Sequence, residues 1–218
     1  MIHVHNLSLQ ASIFSSFLAE MRNVTVQNDR MRFRRNMERV GEIFAYEISK
    51  TFPASHTDIQ TPLGNADMDL LKEQPVLATI LRAGLPLHQG LLNYFDHAEC
   101  AFISAYRKHH KNDDSFEIEI EYLSSPSIEG KILVLADPML ATGASMVLAY
   151  KAMLRRGNPK HIHIVSLIAS KEGIDHVKKN LPANTTIWVG SVDVELTAQA
   201  YIVPGLGDAG DLSYGEKI

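Results

Sequence analysis

A single cysteine, Cys100, stands among the 218 residues, so no internal disulfide can staple this fold, and a reducing cytoplasm is its simplest home. The chain has no run of about 18 apolar residues, the length a helix needs to cross a bilayer. Met1-Ile-His-Val-His-Asn6 has no charged segment leading into an apolar one, so neither a secretory signal nor a membrane partner is expected. Basic excess is missing as well. The formal net charge is −4, which gives no general attraction to nucleic acid or to an anionic surface. Neither repeats nor low-complexity stretches interrupt the sequence. What is there, 45% hydrophobic and 21% charged residues, suffices to bury one large core, and residues 1–218 are expected to form a single domain.

Periodicity sets the elements. Phe33, Met37, Val40, Phe44 and Ile48 recur at steps of three or four within 28–52, with Arg30, Arg34, Arg35, Glu38 and Arg39 mostly off that line, which predicts an amphipathic helix. Short apolar runs at 75–81, 100–105, 132–136, 161–168 and 186–189 read as strands; 85–95, 146–156 and 172–180 read as the helices between them. Such alternation predicts an α/β fold with a doubly wound, mainly parallel sheet. Only 116–122 switches apolar and acidic residues at period two, the mark of an antiparallel strand with one wet face. With the polar stretch 109–115 before it, this predicts a β-hairpin arm beside the site and a candidate dimer contact.

The chemistry concentrates after the strand at 132–136. Asp137 falls where that strand ends, and open α/β sheets bind ligands outside the carboxyl ends of their strands. Ala141 to Ser145 are small, so backbone N–H groups can close around an anion, with the Thr142 and Ser145 hydroxyls and the following helix N-terminus adding donors and positive potential. The plain alternative is a strand–turn–helix junction in which Thr142 or Ser145 is an N-cap. A carboxylate beside a phosphate nest can accept sugar hydroxyls, so the pair points to a phosphorylated ribose.

Asp137-Pro138-Met139-Leu140-Ala141-Thr142-Gly143 resembles the phosphoribosyl-diphosphate signature of phosphoribosyltransferases, in the form associated with the uracil phosphoribosyltransferase family. Tyr201-Ile-Val-Pro-Gly205-Leu-Gly207-Asp208-Ala-Gly210-Asp211 is similar to that family's uracil-binding segment, and Ile80-Leu81-Arg82-Ala83-Gly84-Leu85 to its diphosphate loop. Tyr106-Arg107, Thr61-Pro62-Leu63-Gly64 and the helix bearing Phe33-Arg34-Arg35-Asn36 extend the resemblance over most of the chain. Two departures stand out. After Asp211 the family carries an arginine and then phenylalanine–glycine–threonine, where this chain has Leu212-Ser213-Tyr214-Gly215-Glu216. After Tyr106-Arg107 it carries acidic residues and a threonine, where this chain has Lys108-His109-His110-Lys111.

The resemblance implies a type I phosphoribosyltransferase fold with a hairpin arm and a C-terminal hood over the base. It implies transfer of phosphoribosyl from 5-phospho-α-D-ribose 1-diphosphate to uracil, giving UMP and diphosphate, in pyrimidine salvage. Asp137, Pro138, Met139, Leu140, Ala141, Thr142, Gly143, Ala144 and Ser145 would hold the phosphoribosyl group. Arg82, Ala83, Gly84 and Arg107 would hold the diphosphate, in a loop with a non-proline cis peptide, the Arg82–Ala83 bond being the one in question. Tyr201, Ile202, Gly207, Asp208 and Ala209 would hold uracil, and Asp208 and Arg107 would be catalytic. Mg2+ would ride on the diphosphate, reaching Asp208 through water, with no direct protein ligand. A homodimer or higher homo-oligomer and GTP as a regulatory nucleotide are implied too.

Residues 204–210 are too rich in turn formers for a helix or strand, which frees their backbone to serve as a ligand surface. The acceptor–donor–acceptor edge of a pyrimidinedione matches main-chain groups of Ile202, Gly207 and Ala209, so no recognition is asked of the Leu206 side chain. Asp208 could instead cap its own turn, and Arg107 could be a surface ion pair. His3 with His5, and His161 with His163, share strand faces but lack a third ligand nearby, so they read as strand-edge polar residues. Arg22, Arg30, Arg32, Arg34, Arg35 and Arg39 support a rival reading, a nucleotide-sensing RNA-binding regulator on the same fold. Glu38, Glu42 and Glu47 in the same segment weigh against it. A phosphoribosyltransferase for another base is the remaining alternative.

Overall fold

A computed structural model describes residues 1–109 and 116–216, with backbone alone over 106–109 and 116–119. In chain order the elements are β1 (His3–Asn6), α1 (Ile13–Arg22), α2 (Arg30–Ser49), β2 (Ala54–Thr61), β3 (Gly64–Leu71), β4 (Val76–Leu81), α3 (Leu85–Tyr94), β5 (Glu99–His109) and β6 (Phe116–Ser124). They continue with β7 (Ile132–Ala136), β8 (Met139–Leu140), α4 (Ala144–Met153), β9 (His161–Ser170), α5 (Lys171–Asn180), β10 (Thr185–Asp193), β11 (Glu195–Leu196), β12 (Ile202–Val203) and α6 (Ala209–Tyr214).

The main sheet runs β1-β10-β9-β7-β4-β5-β6, with β8 also paired to β9. Every pairing is parallel except β5 with β6. The mainly parallel, doubly wound sheet is thus as expected, and period two explains how its strands bury both faces. Ile132, Val134 and Ala136 of β7 join α1, α2 and α3 in one core layer. Leu133 and Leu135 join α4 and α5 in the other. In α2 the stripe Phe33, Met37, Val40, Phe44 and Ile48 is buried, and Asp29 caps its start by accepting from the Arg32 N–H at 3.0 Å.

Residues 116–124 do pair antiparallel with β5, but as the edge of the main sheet. The hairpin that stands apart is β2–β3, paired only with itself. Its sequence, Ala-Ser-His-Thr-Asp-Ile-Gln-Thr and Gly-Asn-Ala-Asp-Met-Asp-Leu-Leu, puts polar residues on both faces, so hydropathy does not announce it. Residues 110–115, where the tip of the expected arm falls, lie outside the described residues.

Candidate active site

The chain reverses its direction of travel across the sheet between β4 and β7. From β4 it crosses through α3 to β5 on one side, and from β7 through α4 to β9 on the other. Ligands of open α/β sheets bind at that crevice. Thr79 is register partner to Ala136, so the loops leaving the two strands begin side by side. Gly84 fills the seam. A Cβ there would lie 2.1 Å from Thr79 Oγ1 and 3.3 Å from the Ala136 carbonyl oxygen, which excludes any larger residue. The non-proline cis bond of this loop is Leu81–Arg82, one position before Arg82–Ala83.

Beyond β7 the loop at 137–145 closes on itself. Met139 N–H donates to Asp137 Oδ1 at 3.3 Å and Ala144 N–H to Thr142 Oγ1 at 3.4 Å. Gly143 has φ +78° and starts α4 two residues earlier than periodicity suggested. Its left-handed backbone suits glycine. The opening N–H groups of α4 have no acceptor inside their own helix and face the crevice with the positive end of its dipole. Two residues overlooked in the sequence hold the loop from behind. Ser170 Oγ donates to the Ala141 carbonyl at 2.5 Å and accepts from Gly173 N–H at 2.8 Å. A Cβ on Gly173 would come within 2.4 Å of that same carbonyl. Ser170 could be read in the sequence as an N-cap for α5; that α5 backs the phosphate loop is a tertiary fact.

Across the crevice stands the C-terminal turn. Ala83, Asp137, Thr142 and Ser145 share one open cleft with Tyr201, Ile202, Gly207, Asp208 and Ala209. Met139, Leu140, Ala141 and Gly143 complete the phosphate-loop wall. Pro138 is turned inward, its carbonyl accepting from Ile168 N–H at 3.0 Å. The turn is not wholly irregular, as 204–210 had been expected to be: a helix begins at Ala209. Asp208 caps it, Oδ1 accepting from Gly210 N–H at 2.8 Å and Asp211 N–H at 3.0 Å, which outweighs the run of turn formers. Leu206 is no idle residue either. Its side chain is 4% exposed and belongs to the core layer of α1 to α3.

Burial, opposed by the Met139 N–H and helped by the charge of Asp208, raises the Asp137 carboxyl to about 7. A carboxyl so poised changes charge near neutrality, the behaviour expected where a ligand must supply the missing partner.

Arg82 reaches the hood rather than standing alone at the cleft. Its Nη2 donates to Asp211 Oδ1 at 3.0 Å and to the Gly215 carbonyl at 3.1 Å. The Arg34 guanidinium donates to the Ser213 carbonyl at 2.6 Å and lies 5.8 Å from the Tyr214 ring centroid. The divergent ending is therefore integrated, with Leu212 packed against the core. Arg107 pairs with Ile118 in the sheet register, while its side chain lies outside the described residues.

Most of the basic cluster is engaged inside the chain. Arg22 pairs with Asp193, Arg32 with Glu20 and Arg35 with Glu38, and Arg39 donates to Asn36 Oδ1. Of the histidines, His163 corrects the strand-edge reading: it is 2% exposed and its Nδ1 accepts from Trp188 Nε1 at 3.0 Å. Burial, then His161 and His5, push it down to about 3. Among the described residues no three His, Cys, Asp or Glu side chains are grouped to hold a metal. No helix among them is long and apolar enough to cross a membrane.

A mainly parallel sheet whose switch point carries a carboxylate-led loop of small residues, a glycine-seamed second loop and a C-terminal hood defines a phosphoribosyltransferase of the type I fold. The comparisons narrow that class. This chain belongs to the uracil phosphoribosyltransferase family, whose model matches residues 8–215. A Porphyromonas gingivalis protein named uracil phosphoribosyltransferase is 56% identical over 217 residues, spanning 100% of both chains. One of that name from Thermococcus gammatolerans is 36% identical over 204 residues, 92% of this chain and 88% of the relative. A solved structure of an Aquifex aeolicus protein matches with a TM-score of 0.84 at 29% identity, over 97% of this chain and 98% of that one.

Proposed function

We propose that residues 1–218 act as one catalytic domain that transfers the phosphoribosyl group of 5-phospho-α-D-ribose 1-diphosphate to N1 of uracil, giving UMP and diphosphate. The observation that carries this reading is the single cleft shared by the phosphate loop at 137–145 and the backbone-rich turn at 201–209, with Asp137 and Asp208 on its walls. The first wall suits a ribose 5-phosphate and the second a planar base, set close enough to react.

Positive charge grows at the anomeric carbon as its bond to diphosphate breaks, so the protein's work is positioning and electrostatic stabilisation. The α4 N-terminus with Thr142 and Ser145 anchors the 5′-phosphate, and that binding energy orients the ribose. Asp137 in its ionised form accepts the ribose hydroxyls. Ala83, Gly84 and Arg107 receive the departing diphosphate, with Arg82 linking their loop to the hood. Cys100 is no nucleophile, since burial pushes its thiol up. Asp137 and Asp208 line the same cleft, and the charge of Asp208 raises the Asp137 carboxyl, a repulsion that a divalent cation would relieve. These are the carboxylates that would hold Mg2+ through water, and the ion, when bound, would neutralise charge on the diphosphate.

The hairpin β2–β3 supports a homodimer. An isolated two-stranded hairpin is marginal in water, yet this one leaves Leu63 wholly exposed and Met68, Leu70 and Leu71 at 40 to 49%; a second copy would cover it, which light scattering on the purified protein checks. Placement in a reducing cytoplasm is consistent with the lone Cys100. Activation by GTP rests on the family resemblance alone and is checked by adding the nucleotide to the assay.

That assay is diphosphate release from 5-phospho-α-D-ribose 1-diphosphate and Mg2+, with uracil, hypoxanthine, guanine, adenine or orotate added in turn. Release with uracil is the expected result. Release with another base and none with uracil would move the assignment to that base.

A further inference from the structure

The base turn is gripped from outside the cleft. Gly205 N–H donates to Asp193 Oδ2 at 2.9 Å, and the Gly205 carbonyl accepts from Arg22 Nη1, also at 2.9 Å. Arg22 and Asp193 are themselves joined by two bonds, of 2.7 and 2.8 Å. One ion pair therefore holds both backbone groups of a single residue. Arg22 ends α1 and Asp193 ends β10, so the turn is tied at once to the helical layer and to the sheet. Asp193 is 6% exposed and also accepts from Ser191 Oγ at 3.3 Å. Burial alone would raise its carboxyl, but the Arg22 bonds and the Gly205 N–H outweigh it and leave the group below its ordinary range. Such a pair is committed, because removing either partner strands a desolvated charge.

One residue further on, the Gln27 amide nitrogen, in the orientation its neighbours require, donates to the Leu206 carbonyl and the Met21 carbonyl at 2.9 Å each. Gln27 lines the outer side of the turn, away from the cleft, while Gly207 lines both sides. A trans peptide fixes the consequence. The carbonyl of Leu206 and the N–H of Gly207 belong to one planar unit and point in opposite directions. A carbonyl drawn outward by Gln27 aims the Gly207 N–H inward, to where a base carbonyl would sit.

We infer that Arg22, Asp193 and Gln27 are positioning residues for base recognition, setting from behind the direction in which Gly207 presents its N–H to the pyrimidine. The inference rests on the reading that the turn binds uracil. None of the three lines the cleft, so they act through Gly205 and Leu206 and not by touching the base. An N–H aimed at the 4-position donates to the carbonyl of uracil and opposes the amino group of cytosine. The three residues therefore set discrimination as well as affinity.

Steady-state kinetics of Gln27→Ala and Arg22→Lys test this, with Gly207→Ala as control because Gly207 sits at φ +93°. Gln27→Ala removes the bonds to the Leu206 and Met21 carbonyls, and Arg22→Lys keeps the charge but loses the fork. Each is expected to raise KM for uracil about tenfold, the size of one hydrogen bond, and to lower the uracil-to-cytosine ratio of kcat/KM by a similar factor. KM for 5-phospho-α-D-ribose 1-diphosphate should stay within about twofold, since the phosphate wall is untouched. If uracil KM and the ratio hold in both variants while Gly207→Ala raises KM, the turn orients itself and the inference fails. If both substrates weaken in parallel with a lower Tm and the ratio holds, the contacts are structural only and the inference fails. If Gly207→Ala also leaves uracil use unchanged, the base-site reading falls first and carries the inference with it.

Discussion

The phosphate loop takes its shape from its own consecutive residues, 137–145, braced by Ser170 only 29 positions away from Ala141. Across the cleft, the base turn and the α6 segment that follows it are held by Arg22, Gln27, Arg34 and Arg82, groups that precede their partners by 129 to 183 positions. In the proposed complex, backbone N–H groups face the ligand on both walls. On the first, local conformation aims them, through a left-handed Gly143 and a helix N-terminus. On the second, distant guanidinium and amide groups pull carbonyls outward. An anion is bound from many directions and tolerates a generic nest, whereas a base edge must be matched group by group and needs its donors held in one orientation.

The largest effect should come from opposing that orientation with the wrong base. Cytosine replaces the N3 donor of uracil by an acceptor and the O4 acceptor by a donor, leaving buried partners facing like groups. Rejection of roughly 10⁴-fold in kcat/KM is expected, measured by competition between the two bases; comparable turnover of cytosine would mean the two walls are equally generic.

Next in size is Asp137→Asn, which isolates the phosphate-side wall. Losing a charge-assisted bond to the ribose should cost about 1.5–3 kcal/mol of transition-state stabilisation, seen as lower kcat/KM for 5-phospho-α-D-ribose 1-diphosphate with base preference unchanged. In the wild type that parameter should rise with pH through about 7 as Asp137 ionises, and the variant should lose this limb. Stability should move the opposite way. The folded carboxyl titrates at about 7 against 3.8 in the unfolded chain, so the native state keeps a proton that the unfolded state releases. The contribution is present below about 4 and is lost as pH rises through 7. Asp137→Asn should thus stabilise the unliganded protein above pH 7, by up to about 4 kcal/mol. Thermal melts at pH 5 and pH 8 check the sign.

Smaller again is Gly143→Ala. A Cβ there would meet the Gly173 carbonyl at 2.8 Å on a backbone at φ +78°, so about 1–2 kcal/mol of stability should be lost, with KM for the phosphoribosyl donor raised and the uracil-to-cytosine ratio kept. A change in that ratio would show the walls to be coupled.

The same contrast separates what the sequence made legible from what it did not. Runs such as Ile132 to Ala136, and the small residues after Asp137, declare their structure locally, and the parallel sheet and phosphate loop follow from them. The Arg22–Asp193 pair gives no local sign: each residue sits at the end of an ordinary element, and their meeting at Gly205 depends on the packing of α1 against the hood. Turn formers at 204–210 hid the helix that Asp208 caps, and polar residues on both faces hid β2–β3. His163 looked like an edge residue because its pairing with Trp188 is made across neighbouring strands. The arginines of 22–39 look alike in the sequence, and only the fold shows which acids and carbonyls engage most of them.

A structure of the protein with UMP bound tests the central claim most directly, because the product touches both walls at once. The 5′-phosphate should lie within hydrogen-bond distance of the N–H groups between Thr142 and Ser145, with the ribose hydroxyls on Asp137 and the uracil edge against the main chain of Gly207 and Ala209. A UMP bound with its base in the phosphate loop, or bound away from this cleft, would contradict the account.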